Sequence, residues 1–220
     1  STWAAKIDWI NNLITDISVF STLAITAVMI YFAVKYRRRS EDQKSAYITH
    51  NVTLETVWTI IPTIICFYIF YYGFIFYQDM RTPPANPLEI SVTGKKWLWT
   101  FTYSNGKTSP AELVVPVNRP VKLIMKSQDV LHSLFLPAMR VKEDVNALYY
   151  SYLWFEPTKI GEFPIFCAEY CGDEHSMMLG KLRVVTQAEY DDYVNDRTNG
   201  PALPPEEIGK QVYEKYQCAT

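Results

Sequence analysis

Cys167-Ala-Glu-Tyr-Cys171-Gly-Asp-Glu-His175-Ser-Met-Met178 gathers two thiols, an imidazole and two thioethers into one short stretch. The donors follow a Cys-x3-Cys-x3-His-x2-Met spacing. Soft sulfur with imidazole selects copper over magnesium or calcium. A second histidine, His132, lies upstream in the strand-like run Asp129-Val-Leu-His132-Ser-Leu-Phe-Leu-Pro137, and the chain has only 3 histidines. Two thiolates, two imidazoles and a thioether exceed what one copper ion needs and suffice for two.

Other chemistries fit the same residues less completely. A disulfide between Cys167 and Cys171 suits an oxidising compartment but explains neither histidine. A tetrahedral zinc site built from Cys167, Cys171, His175 and His132 leaves Met178 without a role. A mononuclear blue-copper site uses one cysteine, not two. A thioredoxin-like copper chaperone needs a strand-helix alternation around the cysteine pair, and none is visible.

Working outward, the runs at about 17–36 and 56–77 are apolar, with no charge but Lys35 at the end of the first. Each approaches the roughly 20 residues that a helix needs to cross a bilayer core. Pro62 is expected to kink the second. The connector carries Lys35, Arg37, Arg38, Arg39 and Lys44. By the positive-inside rule it faces the cytoplasm, which puts both termini on the outer side. Residues 1–16 read as a separate amphipathic helix with Trp3, Ile7, Ile10, Leu13 and Ile14 on one side.

Pro83, Pro84 and Pro87 end the hairpin. Beyond Leu88 the pattern changes to short β-like runs separated by Gly, Pro, Asn and Ser. These are 88–93, 97–103, 112–117, 121–127, 131–136, 148–155, 162–167 and 179–185. Many short strands at this spacing predict a sandwich or barrel. Thr186-Gln-Ala-Glu189 fits a capping box that opens a helix over about 187–197. Residues 199–205 read as a linker, followed by a helix that runs into Cys218-Ala-Thr220.

His132, Cys167, Glu169, Cys171, His175 and Met178 together resemble the copper A signature of cytochrome c oxidase subunit II. The resemblance extends over nearly the whole chain and implies a membrane-anchored all-β protein. Its parts are an N-terminal segment (1–16), a two-helix transmembrane hairpin (17–80), a cupredoxin-like Greek-key β-sandwich (81–198) and a C-terminal linker segment (199–220). It implies that Cys167 and Cys171 bridge two copper ions, with His132 and His175 on one copper each. Met178 and the Glu169 backbone carbonyl are then the weak ligands, and the family spacing selects Met178 over Met177. The Glu169 side chain is implied to serve a magnesium or manganese ion shared with subunit I, as suits a hard cation.

The same resemblance makes Trp97, in Gly94-Lys-Lys-Trp97-Leu-Trp99, the ring through which electrons enter from cytochrome c. Glu55 becomes a proton-path candidate; a carboxylate favoured by the helix dipole explains it equally. Subunits I and III and the membrane are the implied partners. The location is a bacterial cytoplasmic membrane with the copper domain on the periplasmic or outer side. The function is electron entry into a proton-translocating oxidase that reduces oxygen in subunit I. The alternative is a membrane-anchored copper chaperone. A quinol oxidase subunit would lack the ligands.

Acids and bases nearly balance between Asp79 and Arg197, and net charge is -2, so no nucleic-acid partner is expected. Asp129, Glu143 and Asp144 are the acids near the expected copper face. So thin an acidic surface gives little electrostatic steering toward a basic donor. A tethered donor needs less. Cys218-Ala-Thr220 resembles the start of a Cys-x-x-Cys-His haem c attachment site. Haem c and a fused rather than free cytochrome c are therefore expected if the chain continues.

Overall fold

The computed structural model describes residues 1–44 and 46–195. Two long helices come first, α1 (Ala4–Lys35) and α2 (Val52–Arg81). Their most apolar stretches have mean hydropathies of 2.1 and 1.9, and neither stretch is buried within the chain. At 1.5 Å per residue, 32 and 30 residues exceed the thickness of a bilayer core, so both helices project beyond it.

The amphipathic segment read at 1–16 and the span read at 17–36 form one continuous helix. Asn11, Asn12 and Asp16 resemble a boundary, but no Gly or Pro interrupts Ala4–Lys35. α2 likewise runs beyond 56–77 at both ends and contains Pro62. At its start the Asn51 side chain accepts from Leu54 N at 3.1 Å, and Glu55 Oε1 accepts from Asn51 N at 3.1 Å. Asn51 and Glu55 therefore cap the helix reciprocally. The helices meet where Trp9 lies edge-on to Tyr72, with ring centroids 5.2 Å apart.

Ten strands follow: β1 (Leu88–Lys95), β2 (Leu98–Thr102), β3 (Thr108–Pro110), β4 (Glu112–Pro116), β5 (Val121–Ser127), β6 (His132–Leu136), β7 (Val141–Val145), β8 (Ser151–Phe155), β9 (Gly161–Cys167) and β10 (Gly180–Val185). They form two five-stranded sheets, ordered β3-β2-β1-β5-β8 and β4-β10-β9-β6-β7. The pairs β1–β5 and β4–β10 are parallel, so the chain crosses repeatedly between sheets. Alternation sends one face of each sheet inward, as in β5, where Val121, Leu123 and Met125 are buried and Lys122 and Ile124 are not. Trp99, Phe101, Phe155, Leu113, Leu134 and Leu182 fill the space between the sheets. Tyr103 ties them together: its hydroxyl donates to Val114 O at 3.1 Å and accepts from Val114 N at 2.8 Å.

β3 and β7 did not stand out in the sequence. β7 is Val-Lys-Glu-Asp-Val, with both valines buried and its central charges paired toward the surface. Leu148, Tyr149 and Tyr150 have strand composition, yet they form an exposed turn before β8. Trp97, in the strand expected over 97–103, sits instead in the two-residue turn between Lys95 and Leu98. α3 (Gln187–Asn195) opens on the expected capping box, with Thr186 N donating to Glu189 Oε2 at 2.8 Å and Glu189 N to Thr186 Oγ1 at 3.3 Å.

The sandwich is fastened to the end of the hairpin formed by the start of α1 and the end of α2. Ser1 Oγ donates to Met139 O at 2.8 Å, and Thr2 N donates to Glu156 O at 3.1 Å. Trp3 is buried edge-on against Trp154, with centroids 5.1 Å apart. Asp8 accepts from two Arg140 nitrogens at 2.7 and 3.1 Å, and Arg81 pairs with Glu143 at 2.6 Å. Cys218, together with the expected linker and following helix, lies outside the described residues.

Candidate metal centre

His132 opens β6 and Cys167 closes β9. These strands are neighbours, with Leu134 opposite Cys167 in the ladder. Between β9 and β10 the chain makes a compact loop. Ala168 N pins its start to Ser133 O at 2.9 Å. Gly172, at φ 127°, turns it back, and a short 3-10 turn over His175–Met177 lowers Met178 into the core.

The loop brings together every donor singled out by the sequence. Cys167 Sγ and Cys171 Sγ lie 3.8 Å apart. His175 Nδ1 is 3.5 Å from Cys171 Sγ, and His132 Nδ1 is 4.0 Å from Cys167 Sγ. Met178 Sδ is 3.8 Å from Cys171 Sγ, and the Glu169 carbonyl oxygen is 3.3 Å from Cys167 Sγ. His132 and Met178 are fully buried and both cysteines are buried. Met177, by contrast, is 68% exposed.

The sulfur separation is far beyond the 2.03–2.05 Å of a disulfide, and both thiols are free. Two imidazole nitrogens, two thiols, a thioether and a carbonyl exceed the four donors of a structural zinc site. This soft donor set, divided between two sulfurs at its centre, fits two copper ions.

Burial pushes the Cys167 thiol up, but hydrogen bonding with His132 and nearby backbone outweighs it and lowers the net pKa. For Cys171, burial and the neighbouring Cys167 both act upward. Cys167 is therefore the more acidic of the two thiols, and a metal held here would need both as thiolates.

Asp129 is part of the site in a way that its spacing alone did not reveal. Its Oδ1 lies 2.8 Å from His132 Nε2, and its Oδ2 accepts from Lys96 N at 2.8 Å. Burial raises its pKa, but these bonds and one from Val130 N outweigh it and hold it at about 2. Glu143 and Asp144 are also engaged within the chain, with Arg81 and with Ser133 and Lys142. Gly94 has a role of its own beyond the Trp97 segment. A Cβ there would meet His132 Cδ2 at 3.1 Å and Trp99 Cζ3 at 3.1 Å, so bare backbone makes room for the imidazole. Trp97 packs on the loop: a Cβ on Gly172 would meet its Cζ2 at 3.3 Å. The Glu169 side chain is exposed. Glu55 is remote, at the start of α2.

Two family models match the chain. Cytochrome c oxidase subunit II, transmembrane domain, matches residues 1–76, and cytochrome c oxidase subunit II, periplasmic domain, matches residues 107–185. Cytochrome c oxidase subunit 2 of Synechocystis sp. is 31% identical over 247 residues, spanning 90% of this chain and 74% of that protein. The corresponding protein of Alkalihalophilus pseudofirmus is 33% identical over 224 residues, spanning 96% of this chain and 66% of that one. A crystal structure of the periplasmic domain of subunit II of cytochrome oxidase from Bradyrhizobium japonicum is 32% identical, with a TM-score of 0.51, and covers 54% of this chain and 98% of that one. On its hairpin, its sandwich and these matches, the chain belongs to the cytochrome c oxidase subunit II family.

Proposed function

We propose that this subunit receives electrons from a cytochrome c at a two-copper centre and passes them to subunit I, where oxygen is reduced. The observation that carries the reading is the convergence of six donors around two sulfurs 3.8 Å apart. Cys167 and Cys171 would hold both metals, His132 and His175 one each, and Met178 and the Glu169 carbonyl would be the weak ligands. Bound there, copper supplies one-electron redox chemistry, with the change in charge spread over two ions.

The protein's own contribution is rigidity and dryness. The donors sit on two paired strands and a loop pinned at its start to Ser133, so little has to move when charge changes. Burial of His132 and Met178 keeps water out. A metal enclosed in this way favours a resident centre over a chaperone, which must release its cargo. Trp97, seated on the loop beside Cys171, is the entry ring in this reading. The exposed Glu169 carboxylate serves a magnesium or manganese ion shared with subunit I. The basic connector faces the cytoplasm and the sandwich faces outward, in contact with subunits I and III. The capping role of Glu55 explains a carboxylate at the start of α2 without a proton path.

Two comparisons test the assignments. Met178→Leu should retain both coppers and raise their reduction potential, because a weak donor to the oxidised form is lost. Met177→Leu should change neither. The opposite result, read by potentiometric titration, would move the ligand by one residue. Trp97→Phe should slow oxidation of reduced cytochrome c while leaving the copper spectrum intact. Unchanged turnover at limiting donor would reduce Trp97 to a packing residue.

A further inference from the structure

We propose that Asp129 is a positioning residue, whose carboxylate locks the His132 imidazole and the Trp97 turn into one unit at the metal centre. The proposal rests on the copper reading above.

The carboxylate bridges two separate parts of the sheets. Oδ1 faces His132 Nε2 at 2.8 Å and also accepts from Val130 N at 2.7 Å. Oδ2 accepts from Lys96 N at 2.8 Å, the amide directly before Trp97. An ionised carboxylate can only accept, so the imidazole proton belongs on Nε2. Nδ1, which faces Cys167, is then the nitrogen left to bind a metal. Carboxylates commonly fix the tautomer and ring orientation of ligating histidines in this way.

The second bond extends the effect to the donor side. The hairpin between β1 and β2 touches His132 through Gly94, and Gln128 N donates to Gly94 O at 2.9 Å. Lys96 N is its tie to Asp129, and Trp97 then lies on Gly172, next to Cys171. One side chain thus registers the expected entry ring against two metal ligands. Asp129, with its side chain only 26% exposed and both oxygens engaged, would have to give up one of these bonds to pair directly with a basic donor.

Asp129→Asn keeps one acceptor oxygen, so either His132 or Lys96 loses its partner. In the full chain loaded with copper, this variant should still bind two ions at saturating copper. It should release them to a chelator roughly 10-fold faster or more, as for other groups that orient ligands. Its reduction potential should shift. The ionic-strength dependence of its electron uptake from cytochrome c should match wild type. Wild-type release and potential would overturn the proposal, and an altered salt dependence alongside them would make Asp129 a docking acid. If the variant does not fold, nitrogen NMR of the metal-free wild-type chain decides: His132 Nε2 should carry a proton, and an unprotonated Nε2 overturns the proposal. Failure of the copper reading is separate, because it appears as fewer than two coppers in the wild type.

Discussion

Cys171→Ser is expected to destroy the two-copper centre while leaving the sandwich folded. Serine is nearly the same size and sits in a loop, so the strands have no reason to move. Its hydroxyl, however, is a poor soft donor and stays protonated where a thiol ionises. Cys171 Sγ lies at the centre of one half of the site, close to Cys167 Sγ, His175 Nδ1 and Met178 Sδ. Losing it removes the sulfur between the two ligand groups. The variant should bind one copper or none per chain, and its spectrum should lack any signature of an electron shared between two metals. Cys167→Ser should behave alike. Full copper loading with an unchanged spectrum in either variant would remove that cysteine from the ligand set.

Leu134→Ala should give the largest loss of stability. Leu134 is fully buried between the sheets and stands opposite Cys167 on one side and Glu143 on the other. Truncation leaves a cavity that close-packed neighbours only partly fill, costing about 2–5 kcal/mol. Because the cavity lies beneath the strand that ends in Cys167, copper binding should weaken as well. Leu148→Ala is the control: Leu148 is 90% exposed, and its loss should cost no more than about 0.5 kcal/mol. Thermal or denaturant unfolding of the full chain in detergent compares the two. Equal effects would contradict the described packing.

The metal loop was legible in the sequence because its information is local. Three short spacings bring Cys171, His175 and Met178 back toward Cys167 once Gly172 turns the chain. The buried strands were legible for a similar reason, since Val121-Lys-Leu-Ile-Met-Lys-Ser127 alternates inside and outside. β7 was hidden because its charges are satisfied by residues distant in sequence: Glu143 by Arg81, and Asp144 in part by Ser133. Leu148–Tyr150 misled because strand composition does not by itself supply a neighbouring strand. The boundary expected near residue 17 reflected where a bilayer begins, and a helix has no need to stop there. The roles of Asp129 and Gly94 depend on a hairpin contact that no local spacing reveals. His132 was found only because histidines are scarce.

The central claim is tested most directly by copper stoichiometry with an EPR spectrum of the purified full-length protein. The account predicts two coppers per chain and a hyperfine pattern from one electron shared equally by both nuclei. One copper per chain, with the pattern of a single nucleus, would contradict it.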